Sequence, residues 1–546
     1  MLSPGFIDVH SHGDNAPFVA DDDTAKILQG ITTEVVGNCG ISIGPHDPSA
    51  ADAFFAQLPS FFPGVPRIGP RFADVLAEAD RRGYVTNYAP LVGHGTVRAA
   101  AMSEAARPAG AGDVVRMRAL VAEALEAGAF GLSTGLIYPP GVFSDTDELV
   151  ALATVLGDEH IFTSHIRGES DNVVASVEEI VEIGRRSGRR VHVSQHKAAG
   201  TANWGKSEQT LRIVAQARGS GVAVTQDMYP YRAGSTNLSA TLPARYHDGG
   251  APALLERLRA PGVLDDLRRA IAHGEPGWEN LAKNAGWDGI LIATTRDHRF
   301  EGRTLAELAV EMATDPVEAL VRVLLEEELA ASMVAFMMDE PDIERILADP
   351  HTSIGTDGLP PGLGGKPHPR TFGTFPRVLG EYVRASGVLA LSEAIRRMTS
   401  LAADTFGLAG RGRIAAGCAA DLVLFDAQTV ADNLAGAKKR PVEWLVAHSF
   451  GLLGGPTAVG PQPRRVPAPK AKAPGCASKP RSTWKRRHTP TCFRRSISPT
   501  ASRPPATSCS SPTCRTRVHG AASATTKRDV CARSCFTYGQ AERRAR

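Results

Sequence analysis

Eight short β-rich runs, most of them separated by an amphipathic helical stretch, constrain this 546-residue chain more than any other feature. The runs are FIDVH (6–10), TEVVG (33–37), TNYAPLVGH (86–94), AFGLST (129–134), HIFTSH (160–165), VHVSQ (191–195), VAVTQDMY (222–229) and TSIGTD (352–357). Between them lie VVRMRALVAEALEAG (114–128), DELVALATVLGD (147–158), VASVEEIVEIGRRSG (174–188) and SEQTLRIVAQARGSG (207–221). Apolar strands alternating with helices read as βαβ units, which set the strands parallel. Eight of them predict an α/β fold, a (β/α)8 TIM barrel over residues 1–410, in preference to an open doubly wound sheet. Residues 232–290 break the rhythm with the helical pieces ALLERLRA and DDLRRAIAHG, and read as a lid-like insertion over the barrel mouth. Residues 411–432 contain ADLVLFD, a strand leaving the barrel.

Composition changes past that point. Residues 431–546 hold 23 Lys+Arg against 4 Asp+Glu, whereas residues 1–430 hold 38 against 54. The net charge of +3 therefore conceals an acidic body and a basic tail. Six of the eight cysteines, from Cys476 to Cys535, also fall in the tail. Residues 433–546 are rich in Pro, Ser, Thr and Arg and lack periodicity; such a segment cannot bury a core and is expected to be disordered. Translation of a GC-rich gene out of frame is the favoured origin of this tail, a genuine basic tail that binds nucleic acid or an anionic surface the rival. With no zinc-finger spacing and no aromatic interleaving, it predicts no nucleic-acid partner. No apolar run reaches the length of a membrane span. The start, MLSPGFIDVHSH, has neither a basic nor an apolar leader region, so a cytoplasmic enzyme is expected.

In a barrel, functional groups sit at the C-terminal ends of strands. The first strand ends in His10-Ser11-His12, and strand alternation sends both imidazoles to one side, a geometry suited to zinc. Alone, so short a motif is more often a pair of solvated histidines. The second strand is followed by Cys39, whose bland reading is a buried structural cysteine. The fifth ends in His165, the sixth in Ser194-Gln195-His196-Lys197, the eighth in Thr356-Asp357. Together these place His, Cys and Asp side chains at one mouth, which packing does not explain.

The segments PGFIDVHSHGD, GITTEVVGNCGIS, GAFGLSTGLIYPPG, TSHIRGE, QHKAAGTANWGK, TQDMYPY, GTDG and HPRTFGTFPRVLG resemble the amidohydrolase superfamily, and within it the N-acyl-D-amino-acid deacylases. The resemblance spans residues 4–432. It implies zinc-dependent hydrolysis of the amide of N-acyl-D-amino acids, with one or two Zn2+ ions and a small N-acyl amino acid as partner. By the same resemblance His10 and His12 bind one metal position, Cys39 is a thiolate ligand able to bridge two, and His165 binds the second. Asp357 is the general acid/base. Tyr138, Lys197, Tyr229 and Arg370 hold the substrate carboxylate and the scissile carbonyl. An amidohydrolase acting on cyclic amides such as hydantoins is the alternative, and an inactive truncated or frameshifted product another.

Two departures from the family stand out. The sixth strand of the family ends in Ser-His-x-Lys, with a ligand histidine; here that position is Gln195. By strand alternation His196 next to it should face the other way, and its bland reading is a satisfied structural histidine; either a bulge lets His196 serve as the metal ligand, or the Gln195 amide oxygen binds weakly, or the site is impaired. The metal motif also starts close to Met1, where the family carries half of a small β domain. The expectation is a start set too late or a truncation, with 411–432 a remnant strand lacking its partners.

Overall fold

The computed structural model describes residues 1–19, 24–47, 61, 65–66, 68–102, 106–359, 365–432, 457–459 and 465–466. They belong to a compact unit, Met1–Cys476. The expected disordered tail thus lies outside the described residues, apart from its pieces at 457–459 and 465–466.

The eight expected strands form as parallel strands: β1 (Phe6–Asp8), β2 (Ile31–Val36), β3 (Asn87–Pro90), β4 (Gly131–Gly135), β5 (Ile161–His165), β6 (Val191–Val193), β7 (Val224–Met228) and β8 (Thr352–Ile354). They fall into two sheets, β1-β2-β3 and a second one running from Val92–Gly93 through β4, β5, β6 and β7 to β8. Val92–Gly93 follows β3 after a single residue, and Leu91 N donates to Val36 O (2.8 Å) while Phe130 N donates to Pro90 O (2.8 Å). The other gap is spanned by a parallel bridge between Ser11 and Gly358, with Asp357 N donating to His10 O (2.7 Å) and His12 N to Gly358 O (3.1 Å). Hydrogen bonds therefore cross both gaps between the sheets.

The helices between strands form as their periodicity predicts. Helix Val173–Ser187 buries Val173, Val177, Ile180, Val181 and Gly184, one stripe of a 3.6-residue period, and ends at Gly188 in the left-handed conformation (φ 69°). Helix Thr146–Ala153 starts at Asp145, whose carboxylate accepts from Glu148 N (2.8 Å). These stripes join Leu132, Phe162 and Val191 of the strands in one apolar cluster. A second cluster holds Ile7, Val35, Ala89, Phe130 and Ile161, with Ala402 and Phe406 of helix Ser400–Phe406. Full burial of each phenylalanine stabilises by about 1.5–3 kcal/mol.

Two expectations need correction. The insertion extends past residue 290: Ala233–Asn237, Ile290–Thr294 and Ser332–Phe336 form an antiparallel sheet with Ser332–Phe336 at its centre. Ile290–Thr294 runs across the boundary predicted from sequence and Ser332–Phe336 lies wholly beyond it, because ILIAT and SMVAF are as apolar as the parallel strands. The strand in ADLVLFD, Leu422–Leu424, also has partners. It pairs antiparallel with Leu2–Pro4 on one side and with Thr457–Val459 on the other. It is not a lone remnant, and Thr457–Val459, from beyond residue 432, contributes to its sheet.

Candidate metal centre

The strand ends converge as alternation predicts. His10 and His12 follow β1, Cys39 follows β2, and Asp357 follows β8, and one ligand atom from each lies within 4.8 Å of the other three. His10 Nε2 is 3.3 Å from Cys39 Sγ and 3.6 Å from an Asp357 carboxylate oxygen, which His12 Nε2 approaches to 3.2 Å. All four residues are buried. His165, the last residue of β5, places Nδ1 3.5 Å from Cys39 Sγ.

Three of the site residues have left-handed backbones: Cys39 (φ 53°), Gln195 (φ 45°) and Asp357 (φ 48°). A non-glycine residue pays on the order of 1–3 kcal/mol for this, so the surroundings must hold it. Asp357 is held by its N–H on His10 O, Gln195 by its N–H on Asp227 Oδ1 (2.9 Å). The turn at Gln195 aims its amide at the cluster, 3.6 Å from Cys39 Sγ and hydrogen-bonded to His165 Nδ1.

His196 is correspondingly turned away, so its assignment as a metal ligand is corrected. Its ring nitrogens meet Gln226 Oε1 (3.0 Å) and Thr210 Oγ1 (2.8 Å), and burial lowers its pKa to about 4. The left-handed turn brings Gln195, not its neighbour, into the site.

The four other candidates gather around the same cluster. Arg370 Nη1 pairs with Asp357 Oδ2 (2.8 Å), and its guanidinium lies over the Tyr229 ring (4.6 Å). Lys197 Nζ donates to Glu169 Oε1 (2.6 Å) and lies 5.4 Å from the same ring. Tyr138 meets the His165 ring edge-on (5.2 Å), with its hydroxyl donating to Thr236 Oγ1 (3.1 Å). The insertion supplies two of these supports, since Arg370 Nη2 also donates to Ser235 O (3.0 Å).

Charges sharpen the picture. Burial alone would raise the Cys39 thiol, but His10, with His12 and His165, holds it well below the usual thiol range. Burial would likewise raise Asp357, yet Arg370 and His10 hold it well below the usual carboxylate range. His10 is raised well above the ordinary imidazole value against the effect of burial, by Asp227, Cys39 and Asp357. His165 is pushed up to about 9, again against burial, by Glu169 and Cys39.

Sequence reading missed three supports. Asp227 accepts from His192 Nε2 (2.8 Å) and lies 3.4 Å from His10 Nδ1. Glu169 sits between His165 Nε2 (3.2 Å) and Lys197. Below the cluster, buried Lys26 donates to Asp8 (2.7 Å), Ser11 (2.7 Å) and Thr356 (3.1 Å) and pairs with Glu34 (2.8 Å). A charged residue inside a strand flanking HxH or Cys is the signal for Asp8 and Glu34; nothing local marks Lys26.

Two imidazoles, a thiolate and a carboxylate are a donor set that zinc accepts, and burying them together calls for a cation. The Amidohydrolase family matches residues 1–443 of the chain. The chain belongs to that family. Among curated relatives of this amidohydrolase, a D-aminoacylase of Alcaligenes xylosoxydans xylosoxydans is 38% identical over 84% of each chain. An N-acyl-D-glutamate deacylase of the same organism is 39% identical, over 79% of this chain and 78% of its own. Among solved structures, N-acyl-D-glutamate deacylase from Bordetella bronchiseptica, complexed with zinc and a phosphonate inhibitor that mimics the tetrahedral intermediate, is 35% identical. It superposes with a TM-score of 0.69 over 86% of this chain and 89% of its own. A D-aminoacylase with a binuclear metal centre superposes with a TM-score of 0.67 at 34% identity, over 86% of this chain and 89% of its own.

Proposed function

We propose that this amidohydrolase is a zinc-dependent deacylase of N-acyl-D-amino acids, releasing a carboxylate and a D-amino acid. The observation that carries this is Asp357. It belongs to the four-donor cluster and at the same time pairs with Arg370, a cation suited to a substrate carboxylate. The D preference draws its support from the relatives, named D-aminoacylase, N-acyl-D-glutamate deacylase and N-acyl-D-aspartate deacylase.

His10, His12, Cys39 and Asp357 would hold the zinc. When bound, it supplies a Lewis acid that polarises the amide carbonyl and acidifies a water at neutral pH. Asp357 takes the proton of the attacking water and hands it to the leaving amine. Arg370 offers a planar two-point contact to the α-carboxylate, and Lys197 a second positive charge. A substrate carboxylate that draws Arg370 to itself leaves Asp357 a stronger base. Tyr229, its phenol pushed up to about 12 by burial against the pull of Lys197 and Arg370, stays protonated as a donor to the carbonyl oxygen. His165 is held beside this centre by Glu169 and Gln195. Release of amino acid from N-acetyl-D-methionine by the zinc-loaded chain is the expected result. A folded, zinc-loaded chain that hydrolyses neither this nor other N-acyl-D-amino acids would contradict it.

A further inference from the structure

Gln195 stands at a corner of the site where a second ion would need a lone pair. The donors divide about Cys39. On one side are His10, His12 and Asp357, whose ligand atoms and the Cys39 thiolate lie within 4.8 Å of one another. On the other side lie His165 Nδ1, 3.5 Å from the sulfur, and beside it the Gln195 amide, 3.6 Å from the same sulfur. The amide is hydrogen-bonded to His165 Nδ1, the ring nitrogen an ion in this corner would take. An NH2 group brings no lone pair, and a neutral amide oxygen is a poor match for a metal that favours imidazole and thiolate.

Neither residue can readily exchange roles. Gln195 is buried and its backbone is fixed by Asp227 (2.9 Å). His196 is tied through both ring nitrogens to Gln226 and Thr210. We propose that this chain holds a single ion, at His10, His12, Cys39 and Asp357, and that Gln195 closes the Cys39–His165 corner to a second. Gln195 is then a positioning residue: it orients His165, whose other nitrogen faces Glu169 and, through it, Lys197. The inference rests on the zinc-dependent reading above, and it separates this chain from the binuclear D-aminoacylase among its neighbours.

The test is metal stoichiometry. The full chain is stripped with chelator, then titrated with zinc by equilibrium dialysis, and with cobalt to follow thiolate-to-metal absorbance. The chain should take up one ion, His12→Asn should lose it, and His165→Asn should keep it with its cobalt–thiolate band. Gln195→His, and independently Gln195→Glu, should raise the count to two. Two ions in the unaltered chain would overturn the inference and leave the deacylase reading standing. So would loss of the single ion in His165→Asn with retention in His12→Asn. A folded chain that takes up no ion would overturn the zinc-dependent reading itself, and this inference with it.

Discussion

At the scale of single residues, neighbouring donors have separable roles. Asp357→Asn keeps an oxygen at the cluster but cannot take a proton; kcat should fall about 10²–10⁴-fold, with zinc retained on elemental analysis. Cys39→Ala removes the thiolate and should lower bound zinc; unchanged zinc content would reject its place among the ligands. His196 carries a pH prediction. Its buried ring has a folded pKa of about 4, whereas the unfolded chain protonates near the ordinary 6.5. The unfolded state thus binds more protons between these values, and stability is lost as pH falls from about 6.5 towards 4, by about 3 kcal/mol over the whole window. His196→Asn should be less stable than the parent at pH 7.5, with the gap in urea midpoints narrowing by pH 5; a constant gap would contradict the buried neutral ring. His10, His12, Cys39 and Asp357 were legible in the sequence because each follows a strand that announces itself. Alternation along the sixth strand turned His196 away from Gln195; the positive φ at Gln195 and its hold on Asp227 of another strand were not legible, because neither is written locally.

At the scale of elements, the site depends on three strand ends being tied from below. Lys26 joins Asp8 and Ser11 of the first strand region to Glu34 of β2 and Thr356 beside Asp357. Removing its charge leaves two buried carboxylates facing one another, so Lys26→Met should cost about 3–5 kcal/mol by urea unfolding. A loss under about 1 kcal/mol would show that the network is dispensable. Gly355 matters through close approach: a Cβ there would lie 2.5 Å from His10 Cβ. The β8 and β1 ends fit together only because this side chain is missing. Periodicity cannot reveal such a contact, since it relates residues far apart in the chain. The antiparallel strands Ile290–Thr294 and Ser332–Phe336 were illegible for a different reason: apolar runs of five residues do not state which way their partner runs.

At the scale of the whole molecule, the parallel strands place the donors, and the strand Ala233–Asn237 reaches the residues beside them through Ser235 and Thr236. Among the described residues no helix is long and apolar enough to cross a membrane. The alternation of strands and helices made the parallel α/β architecture legible. The sheet formed by Leu2–Pro4, Leu422–Leu424 and Thr457–Val459 was not, because its strands are only three residues long and its first strand lies some four hundred positions from the other two. Because the donors come from β1, β2 and β8, a bound ion would bind the folded state alone. Zinc at about 100-fold above its Kd should stabilise by about 2.7 kcal/mol, read as a higher Tm that chelator reverses. The most direct test of the central claim is parallel hydrolysis of N-acetyl-D-methionine and N-acetyl-L-methionine by the zinc-loaded chain. The account predicts release of D-methionine, abolished by chelator and restored by zinc, with little or no turnover of the L form. Turnover of the L form alone, or turnover of the D form that survives removal of the metal, would contradict it.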